Sequence, residues 1–211
     1  MENLILYLPT SIGEAIDKLT ILDIKMEMIK DDRKIEVKKE YDLLFEKLNP
    51  FLDTHIDLYN AMKKINHVIW NQMDKLRDLQ MNDDEYLKLC KECIEFNDIR
   101  FRIKNKINQL LNSSLKEQKG YKIKSINLNI NQNLKEDSNI IKVIEICSYE
   151  YDKVFINLKF ENKILQSKFI YDNSIIFTNN LLLIDFNLDE SNYKEIFELN
   201  KNLKKLYLLM I

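Results

Sequence analysis

At 211 residues and 25.4 kDa, with 45% hydrophobic side chains, the chain is long enough for one large domain or two small ones and too apolar to be disordered. Thirty-two basic against 34 acidic side chains leave a net charge of -2, which removes bulk electrostatics as a reason to bind nucleic acid. Only two glycines occur, Gly13 and Gly120, so Gly-rich phosphate loops such as a P-loop or a Rossmann fingerprint are excluded.

Residues 1–9, MENLILYLP, read as a short strand or an apolar arm. Ser11 followed by Glu14 is a capping-box pattern, and it predicts a helix from Ile12 through about Lys30. At about 100° per residue, Ile12, Ala15, Ile16, Leu19, Leu22, Met26 and Ile29 form one apolar arc, and Ile21, Ile24 and Met28 form a second. Two arcs imply partners on two sides, and the charges between them (Glu14, Asp17, Lys18, Asp23, Lys25) must be paired or serve a site.

A second helix is expected after Asp31-Asp32, ending at Asn49-Pro50, and a third from about Leu52 to Gln80. In the third, Ile56, Tyr59, Met62, Ile65, Ile69, Met73 and Leu76 share a face, with Asn66, Trp70 and Arg77 at its edge. Asn82 with Glu85 predicts a fourth helix to about Leu111. Inside its wide apolar arc stand Asn97, Arg100, Lys104 and Asn108, polar side chains that need partners there.

From Lys122 the periodicity shifts towards two. Residues 123–130 and 153–160 alternate, and 140–147, 164–171 and 181–188 are similarly rich in strand formers. The expectation is five or six strands, mostly hairpin-linked and antiparallel, then a closing helix from Ser191. The fold class is therefore α+β: an all-α bundle of about four helices over residues 1–121, and a small antiparallel β-rich domain with a C-terminal helix over 122–211.

The segments PTSIGEAIDKLTILDIKMEMI, INHVIWNQMDKLRDLQ and YLKLCKECIEFNDIRFRIKNKINQLLNSSLKEQKGY together resemble an uncharacterised domain-of-unknown-function family of bacteria and viruses. Its motifs are SxGExxDKxTILEIK, WxxxxDxxRD and NDxRxxxKxxIN, and the resemblance spans about residues 8–121. Asp23 stands where that pattern has Glu, and Asn71-Gln72-Met73-Asp74 stands where an acidic run is expected after the Trp. The resemblance implies no activity and no cofactor.

The polar residues suggest three functions. The basic set Lys18, Lys25, Arg77, Arg100 and Lys104, with Trp70, Asn97 and Asn108, would converge in a bundle on a small anionic ligand of phosphate or nucleotide-sugar type. Glu14 and Asp17, one turn apart, would serve a metal-dependent hydrolase if further carboxylates joined them. The same groups would otherwise form an ion network that fixes helix register, in a module that binds protein partners or a second copy of itself. The Cys90/Cys93 pair has no second pair to complete a zinc site, so no metal is assigned. Three cysteines without a secretory leader point to the cytoplasm, and no apolar run approaches a membrane span.

Overall fold

The computed structural model describes residues 5–78, 80–179 and 183–210. Four helices come first: α1 (Ile12–Met28), α2 (Arg33–Leu52), α3 (Ile56–Lys75) and α4 (Asp83–Leu110). The expected caps form, with Ser11 Oγ accepting from Glu14 N at 3.1 Å and Asn82 Oδ1 from Glu85 N at 3.0 Å. As its two arcs imply, α1 packs against α2, α3 and α4. Residues 5–9 are an irregular, exposed arm.

The N-terminus of α1 is clamped by the end of α4. Ile12 N donates to Ser113 Oγ at 3.2 Å and Gly13 N to Asn108 Oδ1 at 2.7 Å, so the first three helical amides all have side-chain acceptors. Asn112, at φ 47°, makes the left-handed turn that brings Ser113 into place. Gly13 is required by contact: a Cβ there would lie 2.5 Å from the Lys104 carbonyl oxygen.

Two helix boundaries differ from expectation. Pro50 does not stop α2, which runs on to Leu52. Proline removes one N–H near the helix end, and Glu46, whose carbonyl loses that partner, faces water. The third helix accordingly begins at Ile56, after the turn at His55.

The second half corrects the expected antiparallel arrangement. Its elements are β1 (Ser125–Ile130), α5 (Asn139–Glu150), β2 (Lys153–Leu158), α6 (Lys163–Lys168), β3 (Ile175–Thr178), β4 (Phe186–Leu188), α7 (Glu195–Leu199) and α8 (Lys201–Met210). Among the described residues there are four strands where five or six were expected, and they form one parallel sheet in the order β3-β2-β1-β4. Residues 140–147, expected as a strand, belong to α5, and 164–168 belong to α6. Of 181–188, residues 186–188 are β4, while 181 and 182 lie outside the described residues.

The cause is α5, twelve residues long and capped by Ser138. It packs on β2, α4 and α8, and a helix buried on nearly every side loses the polar stripe that would mark its period. Once that segment is a crossover helix, β1 and β2 must run parallel. The closing helix breaks at Asn200, whose side chain caps α8 at Leu203 N, 3.1 Å away.

The halves meet along α4 and share one hydrophobic core. Arg102 Nε donates to Asp152 at 2.8 Å, Lys106 pairs with Asp172, and Gln109 Oε1 accepts from Asn173 N at 2.7 Å. Among the described residues no helix is long and apolar enough to cross a membrane.

Candidate functional site

The polar stripe of α4 runs along α1 in the opposite sense. Asn108 meets Gly13, Lys104 meets Glu14 at 2.7 Å, and Arg100 Nε faces Asp17 Oδ2 at 4.0 Å. Asn97, one turn further, accepts from Arg100 Nη2 at 2.6 Å and fixes that side of the guanidinium. The unexpected polar residues of the fourth helix are thus the face it turns towards the first.

This stripe divides into a closed end and an open one. At the closed end Lys104 is buried between Glu14 and Glu117, 2.7 and 2.6 Å away. Burial pulls its ammonium down, but the hydrogen bonds to Glu117 and Glu14 outweigh this and hold it above its ordinary value. Asn108, fully buried, spends its oxygen on Gly13. Both serve helix contact.

At the open end lies a cavity of about 480 Å³ between α1, α3 and α4, lined by Ile21, Asn66, Ile69, Trp70, Met73, Asp74, Arg77 and Arg100. Ile21, Ile69 and Met73 with the Trp70 indole form apolar walls, and Arg77 and Asp74 form an exposed pair at 2.7 Å on the rim. Three side-chain atoms of these lining residues are buried without a hydrogen-bond partner: Asn66 Oδ1, Trp70 Nε1 and Arg100 Nε. Buried polar atoms are nearly always paired, and these three lie within the cavity wall, shielded from solvent.

The orientation of Asn66 follows from its neighbours. Thr20 Oγ1 donates to the Asp17 carbonyl at 2.7 Å, so that hydroxyl can only accept from Asn66. Asn66 Nδ2 therefore donates to Thr20 Oγ1 at 2.8 Å and to Asp17 Oδ1 at 2.7 Å, and Oδ1 is left over. Asp17 behind it is 4% exposed. Burial raises its carboxyl above the ordinary value, against the opposing pull of Asn66 and Arg100.

Other expected site residues lie elsewhere. Lys18 is exposed and pairs with Glu40 of α2, and Lys25 is half-buried one turn beyond Ile21. Glu14 and Asp17 part to different partners, Lys104 and Asn66. Of the carboxylates that a hydrolase would add (Asp23, Asp74, Asp78 or Asp98), Asp23 takes Tyr59 and Lys63, Asp74 takes Arg77, Asp78 is exposed and accepts from Gln80 N, and Asp98 takes Lys119. Among the described residues no group of three or more His, Cys, Asp or Glu side chains is placed to hold a metal.

A larger cleft of about 660 Å³ opens where α3, α5 and α8 meet. Its polar groups are largely engaged: Lys63 by Asp23 and Glu27, Lys64 by the Met210 carbonyl, the Tyr149 hydroxyl by Glu145. Asn66, Ile21, Ile69 and Met73 of the smaller cavity were legible in sequence only as positions on or beside apolar faces.

A profile described as "Family of unknown function (DUF6165)" matches residues 8–134, which include every residue lining the smaller cavity. No curated protein and no solved structure matches the chain.

Proposed function

We propose, for a chain that belongs to that family and takes no known activity from it, a binding module that receives a small ligand through an acidic group at Arg100. The observation that carries this reading is a cavity whose wall joins the guanidinium side chains of Arg77 and Arg100 to the Trp70 indole and to the apolar Ile21, Ile69 and Met73. An anionic group, phosphate or carboxylate, is drawn to the Arg100 guanidinium while an apolar or ring portion rests on Trp70, Ile69 and Met73. A cavity of about 480 Å³ is in the range of small-molecule sites. Arg77 contributes from the rim, Asn97 orients Arg100, and Lys104 and Asn108 hold the helices in register. Three free cysteines favour action in the reducing cytoplasm.

Trp70 is the sole tryptophan, so its fluorescence reports on this cavity without a label. Titration with phosphates, sugar phosphates, nucleotide sugars and carboxylates should reveal a class that shifts Trp70 emission and raises the melting midpoint. A ligand at a hundred times its dissociation constant adds about 2.7 kcal/mol. Arg100→Ala should abolish the response while the fold persists by circular dichroism. A response that survives this substitution places the acid group elsewhere and refutes the reading.

A further inference from the structure

We infer that the ligand of this cavity carries a single carboxylate on an apolar aliphatic or aromatic body, and is not a phosphate ester or a nucleotide sugar. The assignment rests on the binding reading above and deepens it. Three properties of the wall favour one negative charge over two.

The first is where the donors come from. The lining residues belong to the middle of α1, the later half of α3 and the middle of α4, with Arg77 just past the end of α3, so none of these helices begins at the cavity. Amides inside a helix are spent on its own carbonyls, and the converging backbone N–H groups on which phosphate sites are commonly built are missing from such a wall. An anion here is held by side chains.

The second is how far those side chains are already committed. Arg77, exposed on the rim, donates to Asp74 at 2.7 Å and to the Met73 carbonyl at 3.2 Å. Asn97 takes Arg100 Nη2 at 2.6 Å, and Arg100 Nε is shut off from solvent with the buried Asp17 4.0 Å away. Among the described residues these two guanidinium groups are the cations of the lining, and each faces a carboxylate. A phosphate monoester brings about -1.5 to -2 charges at pH 7 and would set the second of them against Asp74 and Asp17. A carboxylate brings one charge and needs only the part of the Arg100 fork that remains.

The third is the rest of the wall. Asn66 turns its amide nitrogen inward to Thr20 and Asp17, and its oxygen is shut off from solvent, so it has nothing to offer the hydroxyls of a sugar. Ile21, Ile69, Met73 and the Trp70 indole complete the lining, and they favour a hydrocarbon chain or ring that gains by leaving water.

The test is a matched series read by Trp70 fluorescence and calorimetry at neutral pH on the unmodified chain. Hexanoate and 3-phenylpropanoate carry the acid on an apolar body; pentyl phosphate and 2-phenylethyl phosphate carry the other head on the same bodies; pentan-1-ol and 2-phenylethanol carry no charge; acetate carries no body. The two larger carboxylates should bind about tenfold or more tightly than their phosphate counterparts, and by a similar margin more tightly than acetate. Asp74→Asn, on the exposed rim, releases Arg77 and should narrow the gap between carboxylate and phosphate about threefold, the scale of an exposed ion pair.

Phosphate esters or uridine diphosphate glucose that bind as tightly as the larger carboxylates overturn the inference and leave an anion site at Arg100 standing. Acetate binding equal to theirs overturns it by removing the apolar body, and a gap unmoved in Asp74→Asn refutes the charge argument on which it stands. Silence from every carboxylate overturns it as well. The broader reading falls with it only if every phosphate is also silent, or if the alcohols bind as tightly as the acids.

Discussion

Gly13 shows how a single missing atom sets the distance between two helices. A Cβ would press on the Lys104 carbonyl at 2.5 Å and on Asn108 Oδ1 at 2.9 Å, and a backbone oxygen cannot rotate aside. Gly13→Ala should cost about 3 kcal/mol, as overpacking does, despite the better helix propensity of alanine, and chemical denaturation will measure it. Asp17 gives a prediction with a definite sign in pH. Its carboxyl is raised by burial, so the folded state holds its proton more tightly than the unfolded state. The contribution is present in acid and is lost as pH rises from the ordinary carboxylate value of 3.8 through the raised one. Asp17→Asn removes this loss, so its melting midpoint should gain on that of the unmodified chain as pH rises through that window. A constant difference across pH would contradict the buried-carboxyl assignment. Both residues fall in the first helix that the capping pattern predicts, where Glu14, Asp17, Lys18 and Lys25 read as chemistry and Gly13 does not. Gly13 was legible as a rare residue, and its partner 95 positions later was not.

At the scale of elements, the four helices of the first half are unequally held. Only Leu48 and Leu52 of α2 are buried, and Ile35 and Leu43 of the same helix are 58% and 55% exposed. The first half of α2 should therefore exchange its amides earliest among α1 to α4, with α1 among the last, in hydrogen-exchange mass spectrometry. The turn after α4 can be tested separately: Asn112→Gly should be nearly neutral, and Asn112→Val should cost about 1–2 kcal/mol because a β-branched residue resists positive φ. Cap residues were the most readable elements of the sequence, since Ser11 and Asn82 act through neighbours three positions away. The least readable was α5. IIKVIEIC is a run of β-branched residues by local preference, and it becomes a helix because the sheet, α4 and α8 surround it. Long-range burial overruled local preference, and the direction of the whole sheet changed with it.

Across the whole molecule, the change of architecture near residue 121 is visible in the sequence, but the contacts that cross it are not. Arg102 and Lys106 appear as surface charges of a helix until Asp152 and Asp172 are folded against them. We propose that residues 1–121 form an architectural half whose stability depends on the rest. A chain ending at Tyr121 should melt roughly 10 °C or more below the full-length protein, because it uncovers the apolar face of α4 that packs on α5 and removes the partners of Arg102 and Lys106. An equal midpoint would make the halves independent. The order of the strands bears on how the chain reaches this state. The interior strand β1 is made first, while its outer neighbour β4 is made last, with Asn129 and Asn187 paired across 58 positions. At roughly 5–20 residues per second a ribosome needs about 3–12 s to span that gap. For those seconds one margin of the nascent β1 has no neighbour, and α5 waits with the face that α8 will cover still open. Slow or stalled translation between β1 and β4 is therefore the interval in which this chain is most open to a chaperone, or to another copy of itself.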